Sequence, residues 1–385
     1  MKGDDDLIKY IYENGADGVN DLLLQRYAGG FDKAVKQVFG AGRKYPELGR
    51  ELRLNAGRFG TYKTFDICKE LEQARAAGLS FDKFKELAGG SIGLFNGYQK
   101  TEYNTLVARS RTAKQWERFK EEKLLYPNIE WLRTASASPR AEHLAYVGLI
   151  LPQDDPFWVN NQPGNEYNCK CDWRSTDKSA TQRPDDNYEP TAGLEGNPAQ
   201  TGELVSENHP YFKRNSKAPR WVDNKAILQC PDEVCFIEKT TPGGNKYLEH
   251  LLVSGELEAA ENRIIAQLLT DNGYKDIRLL PVIDRREPLL RARYYGKGFI
   301  SETQCPDALM NGIVVEYKRT NRANLSIGIG KAAKKSSVAV IQTTEYISDV
   351  HISDVIARQW NIENRKNLTE IIVINNGQVK SFKRP

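Results

Sequence analysis

The sequence predicts an α+β multidomain protein. A mainly helical N-terminal module is followed by a small α/β-type C-terminal domain built on a central β-hairpin sheet. Three observations carry this expectation. Apolar residues recur at helical spacing over roughly the first 130 residues. A stretch rich in Pro, Asn, Asp, Ser, Thr and Gly then runs from Arg174 to near Arg220. Beyond Trp221, short β-type runs alternate with helical ones, and Asn311-Gly312 and Asn376-Gly377 supply hairpin turn signals. The expected boundaries are 1–175 for the helical module, 176–224 for a linker or ordered arm, and 225–385 for the C-terminal domain.

The elements follow in order. Leu7, Ile8 and Ile11 mark a first helix, and Leu22 to Leu24 lead into the next. From Glu47 to Ala77, Leu48, Leu52, Phe59, Tyr62, Phe65 and Leu71 lie roughly on one face, and Gly78 stands where a C-cap glycine belongs. Ser80 is the expected N-cap of a helix that Gly89-Gly90 breaks; another then runs from Gln99 to Lys123. Tyr146 to Pro152 suits a buried strand. In the C-terminal part a helix is expected over Glu256–Asn272 and a strand over Ile277–Ile283. A hairpin over Ala308–Lys318, a short helix over Ile327–Lys335 and a strand over Val338–Thr343 come next. A helix over Ile352–Trp360 and a final hairpin from Glu370 to Phe382 close the chain.

Composition narrows the function classes. The 385 residues carry 55 Lys and Arg against 51 Asp and Glu, a net +4, which argues against a chain-wide nucleic-acid coat but leaves room for a local basic patch. No apolar run approaches the roughly 18 residues of a membrane span. The segment Met1-Lys2-Gly3-Asp4-Asp5-Asp6 has no apolar h-region, so no signal peptide is expected. Six cysteines are too few for a disulfide scaffold.

The segment Tyr103–Trp173 holds an ordered series of unusual elements. These are Trp131-Leu132-Arg133-Thr134-Ala135-Ser136, then Pro139-Arg140-Ala141-Glu142-His143, then Asp154-Asp155-Pro156-Phe157-Trp158, and finally Asn168-Cys169-Lys170-Cys171. In order and spacing this resembles the Mu F-like head morphogenesis family of phage minor capsid proteins. The resemblance implies a virion or phage-derived particle as location and phage portal or capsid proteins as partners. Cys169, Cys171 and His143 offer three ligands to zinc. The Cys-x-Cys step is tighter than the usual gap and the sequence shows no fourth ligand. Buried thiols beside Trp158 and Trp173, with His143 satisfied by a backbone group, are the expected alternative. Asp154 and Asp155 could bind a divalent ion; capping the turn before Pro156 is the expectation.

The C-terminal part concentrates ionisable chemistry. In Pro306-Asp307 through Glu316-Tyr317-Lys318-Arg319, strand alternation places Glu316 and Lys318 on one face with Tyr317 opposite. The hairpin brings Asp307 back towards them. Neighbouring acids repel and shift each other's pKa, so such a cluster is costly without a purpose. Arg319, Arg322, Lys331, Lys334 and Lys335 follow, a basic patch suited to a phosphodiester. The order of elements resembles the C-terminal toxin domains of contact-dependent inhibition and related polymorphic toxins, in their RNase group with a barnase/EndoU/colicin/RelE-type fold. That resemblance implies metal-independent cleavage of RNA, with transfer RNA (tRNA) as the substrate, no cofactor, a cognate immunity protein as partner, and action in the bacterial cytoplasm. His250 or Glu316 would be the general base, with Glu256 also tenable. Lys318 and Arg319 would serve the phosphate, and Thr343 would position one of its oxygens.

A rival uses the same residues. Pro306-Asp307 and Glu316-x-Lys318 also spell the PD-(D/E)xK nuclease motif, in which Asp307 and Glu316 would hold Mg²⁺ and Lys318 would help activate water. Glu258 or Glu261 would complete that site. The RNase is preferred on the toxin resemblance. A third class is a purely structural minor capsid protein, in which Asp307 caps a turn and Glu316 and Lys318 form a surface pair. Elsewhere, His250 competes between catalysis and a helix-core position. His209 reads as structural, and His351 as a cap of the helix near Ser353. Cys230 and Cys235 read as ordinary thiols.

Overall fold

The computed structural model describes residues 4–40, 44–184, 188–296 and 303–385. Part of the expected arm, 185–187, and the start of the N-terminal segment lie outside the described residues. The chain forms two compact units, Met1–Cys230 and Pro231–Pro385. The division thus falls a few residues beyond the expected start of the C-terminal domain. No described helix is long and apolar enough to cross a membrane.

The first unit begins with α1 (Asp4–Asn14), α2 (Asp21–Phe39), α3 (Pro46–Ala76) and α4 (Phe81–Glu122). Asn20 caps α2 by accepting from the Leu22 and Leu23 amides. The expected break at Gly89-Gly90 does not occur, and α4 runs through both glycines. The stripe Phe84, Ala88, Ile92 and Phe95 is buried, and that burial outweighs the roughly 1 kcal/mol each glycine withdraws from a helix. Gly60 lets α2 and α3 touch. A Cβ there would lie 2.5 Å from the Ala28 Cα.

After α4 come β1 (Asn128–Leu132), α5 (Ala141–Leu144), β2 (Ile150–Pro152), α6 (Phe157–Asn160) and β3 (Asp172–Thr176). The strands form a three-stranded antiparallel sheet in the order β2-β1-β3. Trp116, Phe119, Trp131, Phe157, Trp158 and Trp173 make its core. The rest of the unit carries α7 (Pro198–Thr201), α8 (Pro210–Arg214) and α9 (Arg220–Leu228). The described residues of 176–224 therefore take the ordered-arm form rather than the free-linker form. Leu204, Val205, Tyr211 and Phe212 join the helical core, which anchors the polar sequence between them. Buried Arg109 donates to the carbonyls of Leu194, Glu195 and Gly196, and Asn55 pairs with the backbone of Leu204 and Val205.

The second unit holds α10 (Asp232–Cys235), β4 (Phe236–Thr240), β5 (Lys246–His250), α11 (Ala259–Asp271), β6 (Ile277–Leu279) and α12 (Pro288–Tyr295). It continues through β7 (Ala308–Met310), β8 (Ile313–Thr320), α13 (Leu325–Ala332), β9 (Val338–Thr343), α14 (Asp349–Gln359), β10 (Glu370–Asn375) and β11 (Gln378–Lys383). Its eight strands form one mixed sheet in the order β11-β10-β9-β8-β7-β6-β5-β4. β6, β7 and β8 are antiparallel neighbours, and β8, β9 and β10 are parallel. Two apolar layers cover the sheet. Ala259, Ile265, Ala266 and Leu269 of α11 pack with Leu279, Ala308, Val315 and Tyr317. Leu325 and Ile329 of α13 and Ile352, Val355 and Ile356 of α14 pack with Ala339, Ile341, Ile371 and Val373. The β4–β5 hairpin was not expected from the sequence, and it places His250 at a strand end instead of in a helix core.

Candidate functional site

The β7–β8 hairpin closes on Asn311 and Gly312, both at positive φ, as the turn signal requires. Ala308 pairs with Val315, so Asp307 stands across the ladder from Glu316. Tyr317 points into the α11 layer and Glu316 and Lys318 lie on the opposite face. Asp307 is half-buried and fixed at both oxygens. Asn262 Nδ2 of α11 donates to Oδ1 at 3.2 Å, and the Tyr317 amide donates to Oδ2 at 2.8 Å.

Glu316 is the centre of the group. It is 0 % exposed. Its Oε1 lies 2.7 Å from Lys318 Nζ and 2.6 Å from Lys335 Nζ. Both contacts are close ion pairs whose angles fall short of hydrogen bonding, and Oε2 has no partner among the described residues. Burial, then the charge of Asp307, pushes the Glu316 carboxyl up to about 7 despite the two lysines. Burial also pushes Glu256 up to about 7, reinforced by Asp307 and Glu258 and opposed by the Val282 amide that donates to its Oε1. Lys318 is held above its ordinary value. Burial opposes this, but the charges of Glu316, Asp307 and Glu258 outweigh it. The ammonium groups of Lys318 and Lys335 keep about a fifth of their side chains exposed over the sealed carboxylate.

The other expected residues fall in different places. His250 is buried, its Nδ1 accepts from the Leu252 amide at 3.2 Å, and its Nε2 lies 3.2 Å from the Tyr294 hydroxyl. Burial, then the charge of Arg293, lowers its pKa to about 3. Both ring nitrogens are engaged, so the imidazole is a neutral strut and not a base facing a substrate. Thr343 spends its hydroxyl on Asn375 Oδ1 at 2.9 Å. Arg319 pairs with Glu261 of α11 at 3.1 Å, which takes Glu261 away from the acid group. Arg322, Lys331 and Lys334 are exposed. Lys335, expected only as a phosphate contact, is instead a direct partner of Glu316. Asn262 was missed, although a polar residue three positions from both Ala259 and Ile265 on an apolar helix face was a readable signal.

Hard oxygen donors gathered at one place, two of them pushed up by burial with the charge of Asp307 adding to it, fit a divalent cation. They do not form a tight cage. Among the described residues, one trio of candidate ligand atoms lies within 4.8 Å of one another: His143, Cys169 and Cys171. That trio sits in the first unit. Cys169 Sγ is 3.6 Å and Cys171 Sγ 3.4 Å from His143 Nδ1. Asp155 caps the turn into α6 by accepting from the Phe157 amide, and Asp154 pairs with Lys123, so neither is a metal ligand. His209 caps α8, and His351 only donates its amide to the Ser348 cap of α14. Cys230 and Cys235 are buried thiols: Cys230 donates to the Ala226 carbonyl at 3.3 Å, and Cys235 Sγ lies 3.4 Å from the Tyr294 hydroxyl.

Residues 65–174 match the Phage Mu protein F like family. This Mu F-like segment starts within α3 and ends in β3, so it contains the His143, Cys169 and Cys171 trio but neither the arm nor the second unit. No curated protein and no solved structure gives a significant match to the chain.

Proposed function

We propose that this protein is a minor head component of a phage or phage-derived particle whose second unit is a divalent-metal-dependent phosphodiesterase acting on nucleic acid. The Mu F-like match over residues 65–174 supports the head role, with capsid or portal proteins as partners and the virion as location. One observation carries the enzymatic reading. Glu316 is a buried carboxylate with an unpartnered oxygen, faced by Asp307 across the hairpin and covered by two partly exposed lysines.

Asp307 and Glu316, with Glu256 beside Asp307, would hold the ion. A divalent ion bound there supplies Lewis-acid polarisation of a phosphoryl oxygen and a more acidic water. Lys318 and Lys335 then have a second role. Released from Glu316, their ammonium groups face a phosphate and stabilise the charge that develops on it. The hydrogen bonds from Asn262 and the Tyr317 amide keep Asp307 oriented without occupying every lone pair. The sealed position of His250 removes the histidine base on which the metal-independent route would most naturally rest.

A second reading keeps one specific observation in its favour. Glu316 and Glu256 are both pushed up to about 7, the range that suits a general base near neutral pH. In that reading the unit cuts RNA, tRNA included, without metal. Delivery into a bacterial cytoplasm and a cognate immunity protein belong to the toxin form of either reading. The test uses the purified full chain on plasmid DNA and on total RNA, with Mg²⁺ or with EDTA, beside Lys318→Ala. Cleavage that needs Mg²⁺ and disappears in Lys318→Ala supports the proposal. RNA cleavage that survives EDTA moves the assignment to the second reading. Intact DNA and RNA under all conditions overturn both.

A further inference from the structure

We infer that the first unit carries a zinc site formed by His143, Cys169 and Cys171, with solvent at the fourth position. The inference is independent of any nuclease activity. Two segments meet at the site: α5 supplies His143, and the loop entering β3 supplies the two cysteines. The fit is geometric. A tetrahedral zinc with bonds of about 2.3 Å to sulfur and about 2.0–2.1 Å to nitrogen has a sulfur–nitrogen edge of about 3.5–3.6 Å. The two observed sulfur–nitrogen separations are 3.6 and 3.4 Å. All three ligand atoms lie within 4.8 Å of one another, as three corners of one tetrahedron must.

The surroundings point the same way. His143 is 2 % exposed, and its Nε2 has no partner among the described residues. Trp131 and Tyr188 pack edge-on at 5.6 and 5.7 Å and offer the ring no hydrogen bond of their own. Two weak thiol contacts compensate Nδ1 poorly, whereas a bond to a cation would satisfy that nitrogen, with Nε2 carrying the proton of this tautomer. The cysteines are half-buried, which leaves the fourth corner open to water. A disulfide between Cys169 and Cys171 would remove both thiolates, so it is the competing chemistry. Bound zinc would also have a mechanical role. The excursion from Arg133 to Gly148 is tied to the loop before β3 by few contacts, chiefly the Ala135 amide to Lys170 and the Arg140–Glu166 pair. A metal bridging His143 to the two cysteines would close that excursion onto the sheet edge.

The experiment measures metal in the full chain, purified under reducing conditions without added chelator. We expect about one zinc per chain. His143→Gln, Cys169→Ser and Cys171→Ser should each reduce it to background while far-ultraviolet circular dichroism is retained. Cobalt exchanged into the unaltered protein gives a reading that does not depend on variant folding. A thiolate-to-cobalt charge-transfer band is expected, and it should weaken in Cys171→Ser. A metal content unchanged by all three substitutions overturns the assignment. So does the absence of the charge-transfer band in fully reduced protein, or a Cys169–Cys171 disulfide that persists in mass spectra of the protein as purified.

Discussion

Glu102 in the first unit and Glu316 in the second are both sealed against lysine, and the two burials have opposite consequences. In the first unit Lys63 of α3 and Glu102 of α4 are sealed together. Lys63 also donates to the Phe95 carbonyl at 2.9 Å and lies over the Tyr27 ring, while Tyr211 donates to Glu102 Oε1 at 3.1 Å. Every charge there has a neutral polar group beside its ionic partner, and both side chains are buried. In the second unit Glu316 has two ammonium groups close to Oε1, and neither of its oxygens has a hydrogen-bond partner among the described residues. Its lysines reach solvent and its nearest acid, Asp307, adds repulsion. A satisfied buried network fixes one conformation, whereas an unsatisfied one retains free energy that a ligand can release. The difference therefore assigns structure to the first pair and chemistry to the second.

The largest expected effect breaks the structural pair. Lys63→Met leaves Glu102 buried without its ion and should cost about 3–5 kcal/mol. Urea unfolding followed by tryptophan fluorescence reads the first unit, which holds five of the six tryptophans. Lys63→Met combined with Glu102→Leu should recover most of the loss, because no charge is then stranded. A single variant with an unchanged midpoint would remove the distinction between the two pairs. Next in size is the reciprocal change. Lys318→Ala leaves Glu316 paired with Lys335, so the stability change should stay below about 1 kcal/mol. Nuclease activity should fall about 100-fold or more, the scale of losing one charge-stabilising group. Equal losses of stability and activity would make Lys318 a structural lysine like Lys63.

A third measurement tests the retained free energy through pH. The Glu316 pKa rises from an ordinary 4.5 to about 7 in the fold. Between those values the folded chain binds a proton that the unfolded chain does not, so stability falls as pH rises through that window and the penalty is constant above it. The expected loss is roughly 1–3 kcal/mol across the window. Glu316→Gln should reduce this dependence, leaving the part that Glu256, also pushed up to about 7, contributes. Mg²⁺ should reduce it as well, by favouring the ionised carboxylate. His250, lowered to about 3, makes stability rise over part of the same range, so the reading is the difference between the unaltered chain and Glu316→Gln; identical slopes from pH 4.5 to 7 would contradict the unsatisfied acid.

Much of this was legible in the sequence where a local rule governs. The Asn311-Gly312 turn fixed the hairpin and, through strand alternation, the shared face of Glu316 and Lys318. The Cys169-x-Cys171 step and His143 were visible as donors, but only the fold could show that 26 residues of separation close to 3.6 Å. His250 was misplaced because burial against Phe236 and Tyr294 is set by a hairpin whose strands are too polar to declare themselves. The segment 176–224 reads as a linker by composition. Its few apolar residues reach the helical core across long sequence separations, which no local window reports.

The smallest expected effect concerns Gly90 of α4, where the composition rule failed for an energetic reason; Gly60 of α3 is its control. Gly60 and Gly90 are both helical, yet only Gly60 has neighbours. A Cβ at Gly90 would meet nothing within 4 Å, whereas at Gly60 it would strike the α2 backbone. Gly90→Ala should therefore stabilise the first unit by about 0.5–1 kcal/mol, through the reduced entropy of the unfolded chain and better helix propensity. Gly60→Ala should destabilise it by about 1–3 kcal/mol or more, through overpacking. A destabilised Gly90→Ala chain would mean that this glycine face is covered in the folded protein, and paired denaturation curves at two protein concentrations would show whether a second copy covers it. The sign at Gly90 thus tests whether α4 is continuous because its buried stripe holds it, which is the same satisfied packing that surrounds Lys63 and Glu102.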